Sequence, residues 1–589
     1  MAASGLVTSG PARPAGAIAK PADQAGDDAG TALHELFAED WEWRMEHSPT
    51  WASILGDRRW NDRWEDFSLG GVQSSHEHAL DVLGRLKAID RERLSKRDQL
   101  NADLFRKQHD TSVEEYQLHA YLIPFNSQRE GIQTSAELAD NLPFNALKDY
   151  EDWLARLRSF PVCLDQTVEV LRQGMSEKMV LSRAVLARVP GQLDRQLVHD
   201  PRQSDFYKPF RRFPASVTKA DQERISSAAA DAIEHGIVPA FARYKNFYVT
   251  EYLPACYEQP GIWQAPNGEA LYSFLARTFT TTNLTPAEIN RIGLDEVARI
   301  QGKMEQVRAK IGYEGSRQQF FQHLRKDPEF FEKTPEDLLK TYRATAKRID
   351  PELVSLFRTL PRMPYGVKPI PDSVAPDTTA AYYSQGAADG SRAGTYYVNL
   401  YRPETRPKWE MMALTLHESV PGHHLQIALA MEQGELPNFR RYGYYNAFGE
   451  GWGLYAESLG EEMGLYDDPY SKFGQLTYDM WRAVRLVVDT GMHQMRWDRQ
   501  KAIDYFMENA AKAELDVVNE IDRYIAWPGQ ALAYKIGQLK IRELRTKAAE
   551  ALGPEFDVRD YHEIVLGEGA LPLDILERQV NEWLESKKA

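Results

Sequence analysis

The chain has 589 residues, with 71 lysines and arginines against 86 aspartates and glutamates, so its formal net charge is −15 at pH 7. Hydrophobic residues at 43% and charged residues at 27% are ordinary values for a soluble globular protein. The acidic balance argues against a nucleic-acid partner and against docking on an anionic membrane, because both require a basic face. No segment approaches the roughly 18 consecutive apolar residues of a membrane span.

The N-terminus and the cysteines indicate little about the compartment. The first 30 residues are rich in Ala, Gly and Pro and contain no apolar core of a signal peptide, so we interpret residues 1–30 as a disordered leader. Cys163 and Cys256 are too few for a disulfide framework and lack the clustered spacing of a structural zinc site. The chain as written indicates a cytoplasmic protein, whereas removal of a native signal peptide would indicate a periplasmic or secreted one.

The predicted elements are mainly helical. Apolar residues spaced by three and four among strong helix formers predict helices over residues 32–159, 226–253 and 287–312. Thr285 and Thr334 are predicted N-caps, each followed by proline, and Glu288 completes a capping box with Thr285.

The composition changes near Leu360. Residues 360–407 are rich in Pro, Gly and Tyr and include a β-prone run over 395–400, which predicts a small sheet. Helix returns at about Lys408 and continues, with breaks, to the C-terminus. We therefore expect one mainly α domain over residues 31–589, with a helical lobe over 31–360 and a second lobe over 361–589 that carries the small sheet.

The sharpest chemical feature lies in residues 408–433, KWEMMALTLHESVPGHHLQIALAMEQ. The zinc-hydrolase pattern H-E-x-x-H places two histidines one helical turn apart, but the fourth residue after His417 is Pro421, which cannot bind metal. In an unbroken helix, position 423 would lie about 240° around the axis from His417, and position 424 would lie on the same face about 10 Å further along. A local break at Pro421-Gly422 could instead return His423 to the metal, so His423 and His424 both stay open as the second ligand.

A third ligand is expected from NAFGEGWGLYAESLGEEMG, residues 446–464. Glu450 and Glu457 are seven residues apart, almost two helical turns, so both can face the same way. One would ligate the metal, and the other could orient a ligand histidine. The alternative is a glycine-rich helix with solvated acids.

Four motifs in order, HESVPGHHLQ, FGEGWGLYAE, VVDTGMHQMRWDRQKAIDYF and RYIAWPGQALAYKIGQLKI, resemble the bacterial family called domain of unknown function 885. The resemblance covers the chain from about residue 32 to the end. It implies a gluzincin-type zinc hydrolase similar in outline to thermostable carboxypeptidase, oligopeptidase and angiotensin-converting-enzyme families, with a large two-lobed helical fold and a deep cleft. On this resemblance His417, His423 and Glu450 are the ligands of one zinc ion, Glu418 is the general base and Glu457 is the second acid of its helix. This sequence departs from the pattern of the related peptidases by two extra residues between Glu418 and the pair Gly422-His423.

Two imidazoles and one carboxylate leave a coordination position for water, whose pKa zinc lowers to about 7, and Glu418 would accept its proton. The oxyanion needs a further donor. Because the related peptidases use a downstream His or Tyr in this role, the candidates are His493, Tyr524 and Tyr534, although each could instead be structural.

Two further sets of residues are candidates for substrate binding. Arg485 and Arg523 could hold a substrate carboxylate, or could form salt bridges to Asp489 or Asp522. The run YYVNLY could be an edge strand that pairs with an extended peptide, with Tyr397 and Asn399 facing the cleft.

The sequence contains no Walker motif, no strand-bound G-x-G-x-x-G and no G-x-S-x-G elbow. We therefore predict a zinc-dependent hydrolase that cleaves short peptides, of carboxypeptidase or oligopeptidase type. The alternatives are a zinc amidase or esterase acting on a non-peptide substrate, and a helical binding protein that holds no metal.

Overall fold

The computed structural model describes residues 24–123, 131–371, 375, 379–386, 392–434 and 436–588. Residues 1–23 of the predicted leader lie outside the described residues. Residues 24–30, which the composition assigned to the same leader, form the first turns of helix α1, so the helix begins earlier than predicted. Alanine has the highest helix propensity of all residues, and Ala25 and Ala29 lie within the first turns of α1.

Most of the described chain is helical, which confirms a mainly α protein. The helices before the sheet are α1 Gln24–His47, α2 Pro49–Leu55, α3 Leu69–Ala88, α4 Lys96–Gln117, α5 Leu147–Ser176, α6 Arg183–Leu186, α7 Val189–Gln196, α8 Lys219–Ala232, α9 Val238–Phe247, α10 Leu253–Ala255, α11 Gly268–Thr280, α12 Pro286–Ile311, α13 Arg317–Lys326 and α14 Pro335–Ile349. The helices after it are α15 Lys408–Glu418, α16 His423–Glu432, α17 Asn438–Arg441, α18 Asn446–Leu459, α19 Pro469–His493, α20 Arg499–Asn509, α21 Glu514–Ala526, α22 Ala533–Leu552, α23 Val558–Leu566 and α24 Leu573–Lys588. None of the described helices is both long enough and apolar enough to span a bilayer.

The predicted helix starts at Thr285 and Thr334 are confirmed. The hydroxyl of Thr285 accepts from the Glu288 backbone N–H, and the Glu288 carboxylate accepts from the Thr285 N–H at 2.8 Å, which completes the capping box. The hydroxyl of Thr334 accepts from the N–H of Asp337 at 3.1 Å. Both caps satisfy backbone donors that a helix leaves unpaired at its first turn.

The predicted small sheet is present, with three strands: β1 Tyr365–Pro369, β2 Ala381–Ser384 and β3 Gly394–Val398. Their order is β1-β3-β2, with β3 parallel to β1 and antiparallel to β2. The prediction of an edge strand at this run was wrong, because both edges of β3 are already hydrogen-bonded. Tyr396 and Val398 of β3 are fully buried, which suits the strand to the centre of the sheet.

Helix α19 is the central element of the fold. From Phe473 to His493 every residue of this helix except Trp481 is buried, and the helix contacts α12, α15, α18, α20, α21 and α22. Its tightest neighbour is α12, where a side-chain carbon on Gly293 would lie 2.7 Å from the Leu486 side chain. The two largest hydrophobic cores each combine residues from both sides of position 360, so the predicted lobe boundary does not separate two cores.

Helices α18 and α22 approach each other through a pair of glycines. A side-chain carbon on Gly451 would lie 2.5 Å from the Gly537 Cα, and one on Gly537 would collide with the carbonyl oxygen of Ala447. The obstacle in both cases is backbone, which cannot move without separating the helices. This contact therefore fixes the position of α18.

We predict that Gly537→Ala destabilises the protein by about 1–3 kcal/mol, the usual cost of overpacking a well-packed contact. Gly302→Ala is the matched control, because Gly302 lies within α12 with nothing in the space that a side-chain carbon would fill. The control should stabilise the protein by about 0.5–1 kcal/mol through helix propensity. Urea unfolding of both variants measures this difference, and equal effects would contradict the packing argument.

Candidate metal centre and its surroundings

The candidate site begins where helix α15 ends. The chain leaves helical geometry after Glu418, with Ser419 at φ −105°, ψ −119°, and re-enters it at His423. A side-chain carbon on Gly422 would collide with the carbonyl oxygen of His417, so only glycine fits at this position. The indole N–H of Trp452 donates to the Pro421 carbonyl at 2.8 Å and anchors the turn to α18. The break predicted at Pro421-Gly422 is therefore confirmed.

The turn brings two imidazoles to one carboxylate. The Nε2 atoms of His417 and His423 each lie 3.5 Å from the same oxygen, Oε2 of Glu450. The two rings are nearly perpendicular, at 88°, with centroids 4.7 Å apart. All three ligand-type atoms lie within 4.8 Å of one another. For a tetrahedral zinc with ligands at 2.0–2.2 Å, neighbouring donor atoms are about 3.4 Å apart, so this arrangement could hold such an ion.

Glu457 orients the first imidazole. Its Oε1 accepts from Nδ1 of His417 at 2.8 Å, which leaves Nε2 facing Glu450. This carboxylate has no solvent exposure, and Nη2 of Arg482 lies 3.6 Å from the same oxygen. Glu450 and Glu457 thus share a face of α18, as their spacing predicted. A carboxylate on the remote nitrogen of a histidine is the usual partner of a metal-binding imidazole.

The three-residue group His417, His423 and Glu450, called the ligand group below, favours a positive charge. Burial lowers the pKa of His417, but the hydrogen bonds that its ring donates to Glu450 and Glu457 outweigh burial and raise the pKa to about 9. Burial would raise the pKa of Glu450, but the two imidazoles hold it well below its ordinary value. Either a proton or a metal ion can supply the charge that this group favours.

Glu418 lies beside the ligand group, and its carboxylate has no hydrogen-bond partner among the described residues. It is the last residue of α15, is partly exposed, and accepts no hydrogen bond from any residue that the structure describes. Its charge acts on His417, Tyr444 and Tyr396, so its carboxylate lies near the ligand group. A free carboxylate at this point can accept a proton from a bound molecule.

The structure brings a tyrosine to the group that sequence reasoning missed. The hydroxyl of Tyr444 lies 3.4 Å from Oε1 of Glu450, the oxygen that faces away from the imidazoles. Tyr444 is 49% exposed as a residue, but its hydroxyl is enclosed by protein, and burial together with the charge of Glu450 raises its pKa well above 10. Tyr444 precedes Glu450 by only six residues in the sequence, whereas the resemblance to known peptidases pointed to residues downstream of the ligand helices.

Of the three predicted oxyanion donors, only Tyr534 lies near the group. Burial raises its pKa, and the charge of Glu450 raises it further. His493 is buried, with Nδ1 accepting from the Ile262 N–H at 3.2 Å and Nε2 donating to the Tyr524 carbonyl at 3.0 Å. Both ring nitrogens are therefore occupied, and the prediction of a catalytic His493 was wrong.

Tyr524 is likewise structural. Its hydroxyl accepts from Arg485 Nε at 2.8 Å and from Trp481 Nε1 at 3.2 Å, and it donates to Glu520 at 2.6 Å. These three bonds use its whole hydrogen-bonding capacity. The prediction that it stabilises an oxyanion fails for this reason.

His424 points away from the ligand group. Its Nε2 donates to the Met363 carbonyl at 3.0 Å and its Nδ1 accepts from the Tyr383 hydroxyl at 2.9 Å. Burial lowers its pKa to about 4, so the ring is neutral. Its two hydrogen bonds connect α16 to the residues of the sheet and to the segment just before it. Of the two open alternatives, His423 is the one that the geometry places in the group.

Arg485 and Arg523 share one partner that the sequence did not suggest. Their Nη2 atoms lie 3.1 Å and 3.0 Å from Oε2 of Glu520. The expected salt bridges to Asp489 or Asp522 do not form, because those carboxylates bond to Tyr272 and Gly529, and to Arg499.

The two residues proposed to contact an extended peptide have other partners. Tyr397 is half-buried and stacks on Tyr382 with ring centroids 5.0 Å apart. Asn399 is fully buried, donates to the carbonyls of Ala375 and Thr379, and accepts from the Tyr401 N–H. Asn399 therefore supports the loop beside the sheet and does not face a cleft.

Comparison with known proteins places the chain among bacterial relatives. The family model described as "Bacterial protein of unknown function (DUF885)" matches residues 49–580. A crystal structure described as "the putative lipoprotein from Colwellia psychrerythraea" is 30% identical, with a TM-score of 0.88 over 95% of this chain and 100% of that chain. A "putative lipoprotein of unknown function" from Shewanella oneidensis shares the fold at 17% identity, with a TM-score of 0.70 over 93% of this chain and 98% of that one. No curated protein matches the chain.

We predict that Asp489, a fully buried residue of α19, makes the free energy of unfolding fall as pH rises from about 4 to 7. Burial raises its pKa from 3.8 to about 7, so the folded state binds the proton more tightly across this window. Asp489→Asn removes this dependence while keeping an acceptor for Gly529. Between pH 4 and 7 the free energy of unfolding of the wild type should fall by up to about 4 kcal/mol more than that of the variant. Urea unfolding across this range measures the difference, and parallel curves would contradict the assignment.

Proposed function

The chain belongs to the DUF885 family of bacterial proteins of unknown function, and on this premise we propose that it is a zinc-dependent hydrolase that cleaves short peptides. The observation that carries the proposal is the convergence of His417 and His423 on one oxygen of Glu450, at 3.5 Å each. Two imidazoles and one carboxylate are the ligand set of catalytic rather than structural zinc sites. The proposal extends the resemblance to gluzincin-type peptidases, with a longer turn between the base and the second histidine.

Zinc held by this ligand set supplies an acidified water and a Lewis acid for a carbonyl oxygen. Glu418 supplies the base, because its carboxylate lies near the group, is partly exposed and accepts no hydrogen bond from the described residues. It would take the proton of the attacking water and return it to the leaving nitrogen. Tyr444 donates its hydroxyl proton to the outer oxygen of Glu450 and helps to hold that carboxylate, whereas the hydroxyl of Tyr534 can donate to the carbonyl oxygen as its charge grows.

Restricted access supports short peptides as substrates. The side chains of His423 and Glu450 are only 12% and 15% exposed, so a folded protein surface cannot reach them. An extended chain needs only a narrow approach, which the 49% exposed Tyr444 beside Glu450 would offer. An amidase or esterase acting on a small non-peptide substrate would use the same base, and the substrate test below separates the two.

We predict that His423→Ala weakens zinc binding by more than about 100-fold, more than the loss of an outer partner costs. His424→Gln is the matched control, because His424 is adjacent but bonds to Tyr383 and Met363. The control should keep one zinc per chain. Competitive chelator titration followed by metal analysis measures both. Equal losses would mean that the ligand group is misassigned, and no zinc in the wild type would exclude the proposal.

We predict that Glu418→Gln keeps its zinc and lowers peptide cleavage by about 100- to 10,000-fold, the usual contribution of a general base. The measurement is mass spectrometry of a short-peptide library incubated with zinc-loaded wild type and variant. No cleavage by the wild type would exclude a peptidase and favour an amidase or esterase that acts on a non-peptide substrate. Equal cleavage by both proteins would show that Glu418 is not the base.

A further inference from the structure

A cationic cluster lies between helices α19, α21 and α22. It consists of Arg485, Glu520, Arg523, Tyr524 and Tyr534, and is called the Arg523 cluster below. The carboxylate of Glu520 accepts from both guanidinium groups and from the Tyr524 hydroxyl. The guanidinium carbon of Arg485 lies 4.2 Å from the centre of the Tyr534 ring.

The cluster carries one uncompensated positive charge. It holds two guanidinium groups and one carboxylate, and Glu520 is ionised because the two arginines hold its pKa far below the ordinary value despite burial. Among the described residues, neither arginine forms a second ion pair. Asp489 acts on Arg523 only from a distance, and burial keeps that carboxyl largely protonated below pH 7. A partly buried net charge is costly unless a counter-charge binds to it.

Arg523 is the member that a ligand can reach. Its side chain is 23% exposed, whereas that of Arg485 is 4% exposed. Nη1 of Arg523 donates to the Gln530 side chain at 2.7 Å and Nη2 donates to Glu520 at 3.0 Å, so the plane of the guanidinium is fixed. A guanidinium has five N–H donors, so three remain for a ligand. The rigid fork matches the two oxygens of a carboxylate.

The cluster adjoins the ligand group through Tyr534. The charges that act on this tyrosine are those of Glu450 on one side and of Arg485 and Arg523 on the other. Tyr534 in turn helps to raise the pKa of Tyr444, whose hydroxyl lies 3.4 Å from Glu450, so the two tyrosines lie near each other. A ligand anchored on Arg523 would therefore extend along the two tyrosines toward Glu450.

We propose that Arg523 binds the free C-terminal carboxylate of a short peptide, so that the protein removes residues from the C-terminal end. The inference rests on the proposed function for the identity of the bond that is cut, but the anion site stands on the cluster alone. A single carboxylate would neutralise the single surplus charge. The rest of the peptide would lie along Tyr534 and Tyr444 toward the ligand group.

The test measures binding by calorimetry in the Glu418→Gln background, so that turnover does not consume the ligand. The probes are N-acetyl-Ala-Ala-Phe and its C-terminal amide. The free acid should bind about 30-fold more tightly than the amide, the difference made by a charged hydrogen-bonded pair. Arg523→Gln should abolish this preference without changing the binding of the amide. Equal binding of acid and amide to the parent would overturn the proposal.

Matched variants separate recognition from structure. Arg499→Gln removes a neighbouring guanidinium that pairs with Asp522, and it should keep the preference for the acid. Arg523→Lys keeps the charge but not the fork, so it should retain part of the preference even if Arg523→Gln is poorly folded. N-acetyl-Ala-Ala-Glu amide tests a side-chain carboxylate, and binding as tight as the free acid would overturn recognition of the chain end.

The two proposals fail separately. If acid binding depends on Arg523 but no zinc-dependent cleavage occurs, the subsite stands and the hydrolase proposal falls. If cleavage depends on Glu418 but amidated peptides are cut as well as free acids, the hydrolase stands and the carboxylate subsite falls.

Discussion

The close approach of helix α18 to helix α15 is the constraint on which the candidate site depends. A side-chain carbon on Gly453 would lie 2.8 Å from the His417 ring, and Gly451 meets Gly537 on the other side. Glycines on two faces therefore allow α18 to lie close to α15 and α22 at once. This position brings Glu450 and Glu457 to the two nitrogens of His417. With a wider spacing, neither carboxylate would reach the imidazole.

The second constraint is electrostatic and is set by the buried helix α19. Arg482 of this helix lies beside Glu457, and Arg485, one turn further on, bonds to Glu520. The ligand group favours a cation, whereas the Arg523 cluster favours an anion, and Tyr534 lies between them. The surroundings of this tyrosine therefore favour a positive charge on one side and a negative charge on the other. A polar molecule with a negative end would be oriented by this field.

The turn after Glu418 explains how His417 and His423 come together without the spacing of the H-E-x-x-H pattern. That spacing needs one unbroken helix, whereas here Pro421 and Gly422 interrupt it and a new helix starts at His423. The Trp452 indole anchors the turn to the same helix that carries Glu450. The two histidines therefore stand in a fixed relation to Glu450 without lying on one helix. The relatives in Colwellia and Shewanella show that the overall fold persists at 30% and 17% identity.

The sequence by itself determined the local features: the mainly helical class, the capped starts at Thr285 and Thr334, the break at Pro421-Gly422 and the shared face of Glu450 and Glu457. Each depends on residues within a few positions of one another, so periodicity and capping chemistry suffice. Only the tertiary structure decided that β3 is central, that His493 and Tyr524 are structural, that Glu520 pairs both arginines and that Tyr444 reaches Glu450. These outcomes depend on contacts between distant segments. Residue type cannot predict them, because a buried His or Tyr bonds to whichever polar group the packing of the helices brings within reach.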